Sequence, residues 1–166
     1  MTVLKKPAEG DLAPGFTAPQ DGGEAVSLSD FVGKTVILYF FPKDDTPGCT
    51  KEAIEFSDLI GKFEAANAVT IGISRDPITK HEKFRNKHAL KVVLVSDEEG
   101  KITEDYGVWV EKSMYGRTFM GIERTTFVIN SEGSVARIWH KVKVPNHAAD
   151  VLAFVETLNQ LSLIHI

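Results

Sequence analysis

Cysteine is almost absent from this chain: a single thiol, Cys49, stands in 166 residues. No disulfide can form within the chain, so a reducing compartment, the cytoplasm by default, is expected. Long apolar runs are missing too. The longest, Val36–Phe41, spans six residues, far short of the ~20 that a membrane-crossing helix needs. The first ten residues hold no apolar segment of a secretory signal. Nor is there an excess of positive charge. The 19 Lys and Arg face 23 Asp and Glu, leaving a net charge of -4, which argues against nucleic acid as a partner. No repeat, low-complexity tract or linker interrupts the sequence, so residues 1–166 are read as one domain. The apolar tail Leu161–Ile166 runs past the natural end of the last helix. A helix extension, an association surface or a non-native remnant over 162–166 are the readings open for it.

What is present alternates between two periodicities. Val36–Phe41 reads as a buried strand, and a helix to about Phe63 follows, with Ala53, Phe56, Leu59, Ile60 and Phe63 at core spacing. Residues 69–73 and 92–95 read as further strands, with a solvated helix over 78–89 between them whose one inward anchor is Phe84. A polar helix near 99–106 leads to Val108–Val110. Strands 125–129 and 135–139 flank the turn Asn130-Ser-Glu-Gly133, a hairpin signature. The last helix starts near Asn146. Residues 1–24, rich in Pro and Gly, are expected to wrap the domain, anchored by Phe16 and Val26–Leu28. The expected architecture is α/β, a mixed central sheet flanked by helices on both faces.

A lone cysteine is by default a small buried hydrophobe. The context of Cys49 argues otherwise. Thr46 suits the N-cap and Pro47 the first helical position, so Cys49 falls third in the helix. Backbone N–H groups there lack intrahelical partners and the helix dipole is positive, which pushes a thiol toward the reactive thiolate.

The pattern Pro42-x-x-x-Thr46-x-x-Cys49, within Phe-Phe-Pro-Lys-Asp-Asp-Thr-Pro-Gly-Cys-Thr-Lys-Glu-Ala, resembles the peroxiredoxins, in the bacterioferritin-comigratory or PrxQ branch. Gly72-Ile-Ser74, His81 to Phe84, Ser96-Asp97, Tyr106-Gly107 and Gly121-Ile-Glu-Arg-Thr-Thr-Phe127 extend the resemblance over residues 10 to 160. It implies a thioredoxin-like fold and thiol-dependent reduction of hydrogen peroxide and organic hydroperoxides through a Cys49 sulfenic acid. No cofactor or metal is implied. Many members of the branch carry a resolving cysteine five residues after the peroxidatic one, where this chain has Ile54. Five helical residues turn through about 500°, so a disulfide between those positions requires local unwinding. With Ile54, the second thiol is expected from another molecule: thioredoxin, glutaredoxin, glutathione or a second copy, the chain being a monomer or weak homodimer.

Thiol acidity alone explains little of such a reaction. Lowering a thiol pKa from ~8.5 to ~6 raises the thiolate at pH 7 from about 3% to about 90%, a gain of ~30-fold. Nucleophilicity falls with a Brønsted slope of ~0.45, so the same 2.5 units cost ~13-fold and leave about 2-fold. The acceleration has to come from groups that bind the transition state. Arg124 matches the active-site arginine of the resembled family, against the plainer reading of a surface cation beside Glu123. Thr46 would orient the peroxide, accepting from its O–H or donating to sulfur, while also capping the helix. The N–H groups of Gly48 and Cys49 would receive the anion. Pro42 would shield the sulfur, or merely end the strand. Glu52 is read either as helix support or as the group that orients Arg124.

The five histidines show no ligand spacing and are expected at the surface. Trp109 and Trp139 are expected in the core or at its rim, with an interface as the alternative. A peroxide sensor that passes its oxidation to a partner protein by mixed disulfide is the competing function. A non-catalytic thioredoxin-like binding module has no need of Thr46 and Arg124 around a thiol, and a disulfide reductase would need Cys-x-x-Cys.

Overall fold

The computed structural model describes residues 6–164, with side chains as far as Asn159. Two short strands, β1 (Thr17–Pro19) and β2 (Ala25–Ser27), pair antiparallel ahead of a 3-10 turn at Leu28–Phe31. There follow β3 (Thr35–Phe40), α1 (Pro47–Asp58), α2 (Ile60–Ala65), β4 (Ala68–Ser74), α3 (Ile78–His88) and β5 (Val93–Ser96). Next come α4 (Lys101–Asp105), β6 (Trp109–Met114), β7 (Arg117–Ile122), β8 (Thr125–Ile129), β9 (Val135–Trp139) and α5 (His147–Ile164).

Five strands form the main sheet in the order β5-β4-β3-β8-β9. The β5-β4-β3 pairs are parallel, and β8 and β9 join antiparallel. β3 lies at the centre because it is buried along its whole length, as a continuous apolar run requires. Its residues alternate between two cores. Ile37, Tyr39 and Phe41 pack with α1, α2, α3 and α5, whereas Val36, Leu38 and Phe40 pack with α4, the β1–β2 hairpin and Val108. Helices thus cover both faces of a mixed sheet, the thioredoxin-like arrangement expected. Gly72, opposite Tyr39 in the parallel register, leaves room for the Tyr39 ring; a Cβ there would lie 2.6 Å from it.

Several local expectations change. The helix read to Phe63 breaks at Leu59 into α1 and α2. That bend keeps the Phe63 ring 6.0 Å from Phe56. The β6–β7 hairpin lies outside the main sheet, and of its length only Val108–Val110 stands out in the sequence, with no strand assigned. Both its faces meet solvent over most of its length, so it lacks the alternation that marks a half-buried strand. Its turn places Tyr115 and Gly116 at φ 53 and 78, the twist a two-residue hairpin favours. Trp109 and Trp139 are half-buried, each beneath an arginine, Arg75 and Arg137. Helix α5 continues to Ile164, which gives the first residues of the apolar tail a helical backbone; the side chains beyond Asn159 and residues 165–166 lie outside the described residues. Among the described residues no helix is long and apolar enough to cross a membrane.

Candidate active site

The start of α1 and the segment joining β7 to β8 converge on Cys49. Pro47 is the first helical residue and Thr46 the N-cap, with extended backbone at φ -91 and ψ 156. The first bond of the helix runs from the Thr50 N–H to the Thr46 carbonyl at 2.8 Å. The N–H groups of Gly48 and Cys49 lie ahead of it, where the helix offers them no acceptor. Cys49 is only 1% exposed, set among Tyr39, Phe41, Ala53 and Phe56 in the core beneath α1.

Arg124, half-buried, comes from the far side. Its Nη2 donates toward the Cys49 sulfur at 3.4 Å and its Nη1 to Glu52 Oε1 at 2.8 Å. Gly48 makes this approach possible, since a Cβ at that residue would stand 3.1 Å from Nη2. The Val142 N–H donates to the Arg124 carbonyl at 2.9 Å, fixing the backbone from which the guanidinium projects. Arg124 is therefore no surface cation. Glu52 is 1% exposed and its Oε2 has no hydrogen-bond partner. Burial pushes its carboxyl up to about 7, against the pull of Arg124. Of the two readings open for Glu52, the structure supports orientation of Arg124.

The AhpC/TSA family profile matches residues 10–138. The putative peroxiredoxin bcp of Coxiella burnetii is 50% identical over 143 residues, 86% of this chain and 95% of that protein. Peroxiredoxin Bcp of Bacillus subtilis is 46% identical over 153 residues, 92% and 96% of the two chains. This chain belongs to the AhpC/TSA family, among the Bcp/PrxQ peroxiredoxins. Solved structures agree. A cysteine-to-serine mutant of Xylella fastidiosa PrxQ superposes with a TM-score of 0.88 at 35% identity, over 92% of this chain and 98% of that one. The Xanthomonas campestris bacterioferritin comigratory protein, studied for its alkyl peroxide reduction activity, gives 0.83 at 38% identity, over 87% and 92%.

Thr46 departs from expectation in one respect. Its hydroxyl does not cap the helix but donates to the Lys43 carbonyl at 2.9 Å. The proton is thereby committed, and the oxygen lone pairs are left to accept. Pro42 directly follows Phe41, whose N–H makes the last rung to the Ile73 carbonyl at 3.1 Å, so it ends the strand as well as shaping the loop.

The histidines require the largest correction. His81 is wholly buried and His147 nearly so, because each has polar partners in the core. His81 Nδ1 lies 2.6 Å from Asp44 Oδ2 and Nε2 lies 2.9 Å from the Val95 carbonyl. His147 Nε2 meets Thr126 Oγ1 at 2.8 Å, and burial pulls the imidazole down to about 4, so it is neutral at pH 7. His88 pairs with Asp45 and His140 with Glu123 nearer the surface. The one local signal for His81 is that it stands three residues before Phe84, on the same helical face; its polar partners come from distant segments. Lys112 on β6 was passed over as well. Its side chain lies across Gly121, 3.1 Å from where a Cβ would stand. Burial and then Arg124 pull its pKa down, partly offset by Cys49 and Glu123. Nothing in its exposed, irregular surroundings in sequence marks it.

Proposed function

We propose that this peroxiredoxin reduces hydroperoxides with Cys49 as the attacking sulfur, Arg124, Thr46 and the helix-start N–H groups as its transition-state ligands, and the thiol of another molecule as reductant. The observation that carries the reading is the Arg124 Nη2 donor 3.4 Å from the Cys49 sulfur at the open end of α1. The thiolate attacks the terminal oxygen of the peroxide. A sulfur–oxygen bond forms as the O–O bond breaks, and the departing alkoxide or hydroxide takes a proton to leave as alcohol or water. Charge moves from sulfur to the leaving oxygen along the line of attack. A guanidinium with two further N–H groups beside the sulfur follows that charge better than a single point cation. Thr46, its proton held by Lys43, accepts from the peroxide O–H and sets the angle of attack.

The product is Cys49 sulfenic acid. An external thiol condenses with it, releasing water and forming a mixed disulfide, and a second thiol restores Cys49 as its own disulfide forms. The absence of any second cysteine in the sequence supports this route over an internal disulfide. Thioredoxin, glutaredoxin and glutathione are the reductants to compare, and a reducing cytoplasm suits a lone exchangeable thiol. Arg124 reaches both Glu52 and the Cys49 sulfur within one chain, so the proposed site asks for no residue of a second copy, whether the protein is a monomer or a weak homodimer.

The test is peroxide consumption by native protein and by Cys49→Ser, with dithiothreitol and then with thioredoxin and its reductase. Many turnovers, lost in the variant, are expected. A single stoichiometric oxidation that neither donor reverses would favour the sensor reading.

A further inference from the structure

The loop between β3 and α1 carries Pro42 and Thr46 and runs directly into Cys49. Both of its aspartates are tied to α3. Asp45, exposed, meets Lys87 Nζ at 2.8 Å and His88 Nε2 at 2.9 Å. Asp44 turns inward, and its Oδ2 meets the buried His81 Nδ1 at 2.6 Å. The Asp44 N–H donates to Asp76 Oδ2 at 2.8 Å, and that oxygen also receives the Ser74 hydroxyl at 2.7 Å. The Ser96 hydroxyl donates to the Asp76 carbonyl at 2.7 Å. A buried polar cluster thus joins the peroxidatic loop to the ends of β4 and β5 and to α3. None of its members hydrogen-bonds the Cys49 sulfur, whose side-chain partner is Arg124.

The chemistry of this cluster turns on one proton. The Val95 carbonyl only accepts, so His81 Nε2 carries a hydrogen. Whatever lies between Nδ1 and Asp44 then decides the contact. With a proton there, the two groups share a short buried hydrogen bond. Without it, a ring lone pair faces a carboxylate at the same distance. The charged groups facing the pair are Asp76 from beyond the end of β4 and Lys80 from α3; the Tyr39 hydroxyl, the Phe41 ring and the Val95 carbonyl complete its surroundings. Burial opposes the His81 charge, but Asp44 outweighs it and the pKa is raised, which favours the shared proton.

Cys49, at 1% exposure, is accessible to a small peroxide far more readily than to a protein thiol, which has to bring its own sulfur within ~2.05 Å. The loop and the first turn of α1 have to part before that bond forms. We propose that the Asp44–His81 pair, braced by Asp76, is a latch that holds this loop closed, and that its opening sets how fast an external thiol reaches oxidised Cys49. Asp44, His81 and Asp76 are on this account positioning residues. The inference rests on the reading that Cys49 is recycled by a thiol of another molecule.

The test uses reduced, full-length protein and no peroxide. Alkylation of Cys49 by iodoacetamide is compared with alkylation by a maleimide carrying a polyethylene glycol chain. The ratio of bulky to small rates divides out thiolate ionisation and reports access alone. Asp44→Ala with His81→Leu removes both partners together, so that no charge is stranded in the core. The ratio is expected to rise at least about tenfold in this variant, as for local opening eased by one charged hydrogen bond. In native protein the ratio should climb with rising pH as the shared proton is lost, and in the variant it should be flat. A native ratio independent of pH, or a folded variant with the native ratio, overturns the latch. If the variant does not fold, the native pH series decides alone. A chain that failed to turn over peroxide would overturn the proposed function without altering either ratio.

Discussion

Glu52 and Arg124 form a buried ion pair, Nη1 to Oε1 at 2.8 Å, and the second guanidinium nitrogen of that same arginine faces the Cys49 sulfur. The carboxylate therefore aims the cation, and also competes for its charge. Burial dominates at Glu52, lifting its carboxyl from 4.5 to about 7. A folded-state pKa above the unfolded value means that the native state holds the proton more tightly. The stability tied to Glu52 is whole below pH 4.5 and is lost as pH rises through about 7. Urea unfolding at about pH 5 and about pH 8 should show native protein losing up to about 3 kcal/mol more than Glu52→Gln over that range. Equal losses in the two proteins would show that Glu52 does not titrate there.

Arg124→Lys keeps a positive charge and loses the fork. One ammonium nitrogen cannot occupy the positions of both Nη1 and Nη2, so the contact to Glu52 or the contact to sulfur lengthens. Peroxide reduction is expected to fall roughly 10²- to 10³-fold in kcat/KM, the usual cost of a transition-state donor. Stopped-flow oxidation of Cys49 measures it. A loss below about tenfold would assign the acceleration elsewhere.

For Thr46 the two conservative variants should separate. Thr46→Ser retains an oxygen able to donate to Lys43 and accept from peroxide, and should stay within about tenfold of native. Thr46→Val retains shape alone and should lose about 10²-fold. Equal rates for both would reduce Thr46 to a packing residue.

A lone buried thiol with no resolving partner in its own chain should be prone to overoxidation. Excess peroxide without a thiol donor is expected to carry Cys49 past sulfenic acid to sulfinic and sulfonic acids, visible by intact mass and irreversible by dithiothreitol. Full recovery of the free thiol after such treatment would contradict this.

Local signals carried far in this protein. A continuous apolar run specifies a strand buried on both faces, and β3 (Thr35–Phe40), which takes in all of Val36–Phe41 but its last residue, is the sheet's centre. Thr46-Pro47 marks a helix start whatever the fold, so Cys49 could be placed at its third residue before any contact was known. One cysteine excludes an internal disulfide in any conformation. Tertiary structure decided what depends on residues distant in the chain. Glu52 and Arg124 are 72 positions apart, and only the adjacency of β8 to β3 carries Arg124 to the start of α1. The Thr46 hydroxyl donates to the Lys43 carbonyl, which the loop's path brings to 2.9 Å, and accepts no cap hydrogen bond from the helix N–H groups. His81 looked like a solvated residue in a polar helix, since its burial is compensated by Asp44, 37 positions away, and by a β5 carbonyl. A polar side chain belongs in a core only when partners meet it there, and which partners meet it is settled by the packing of the whole chain.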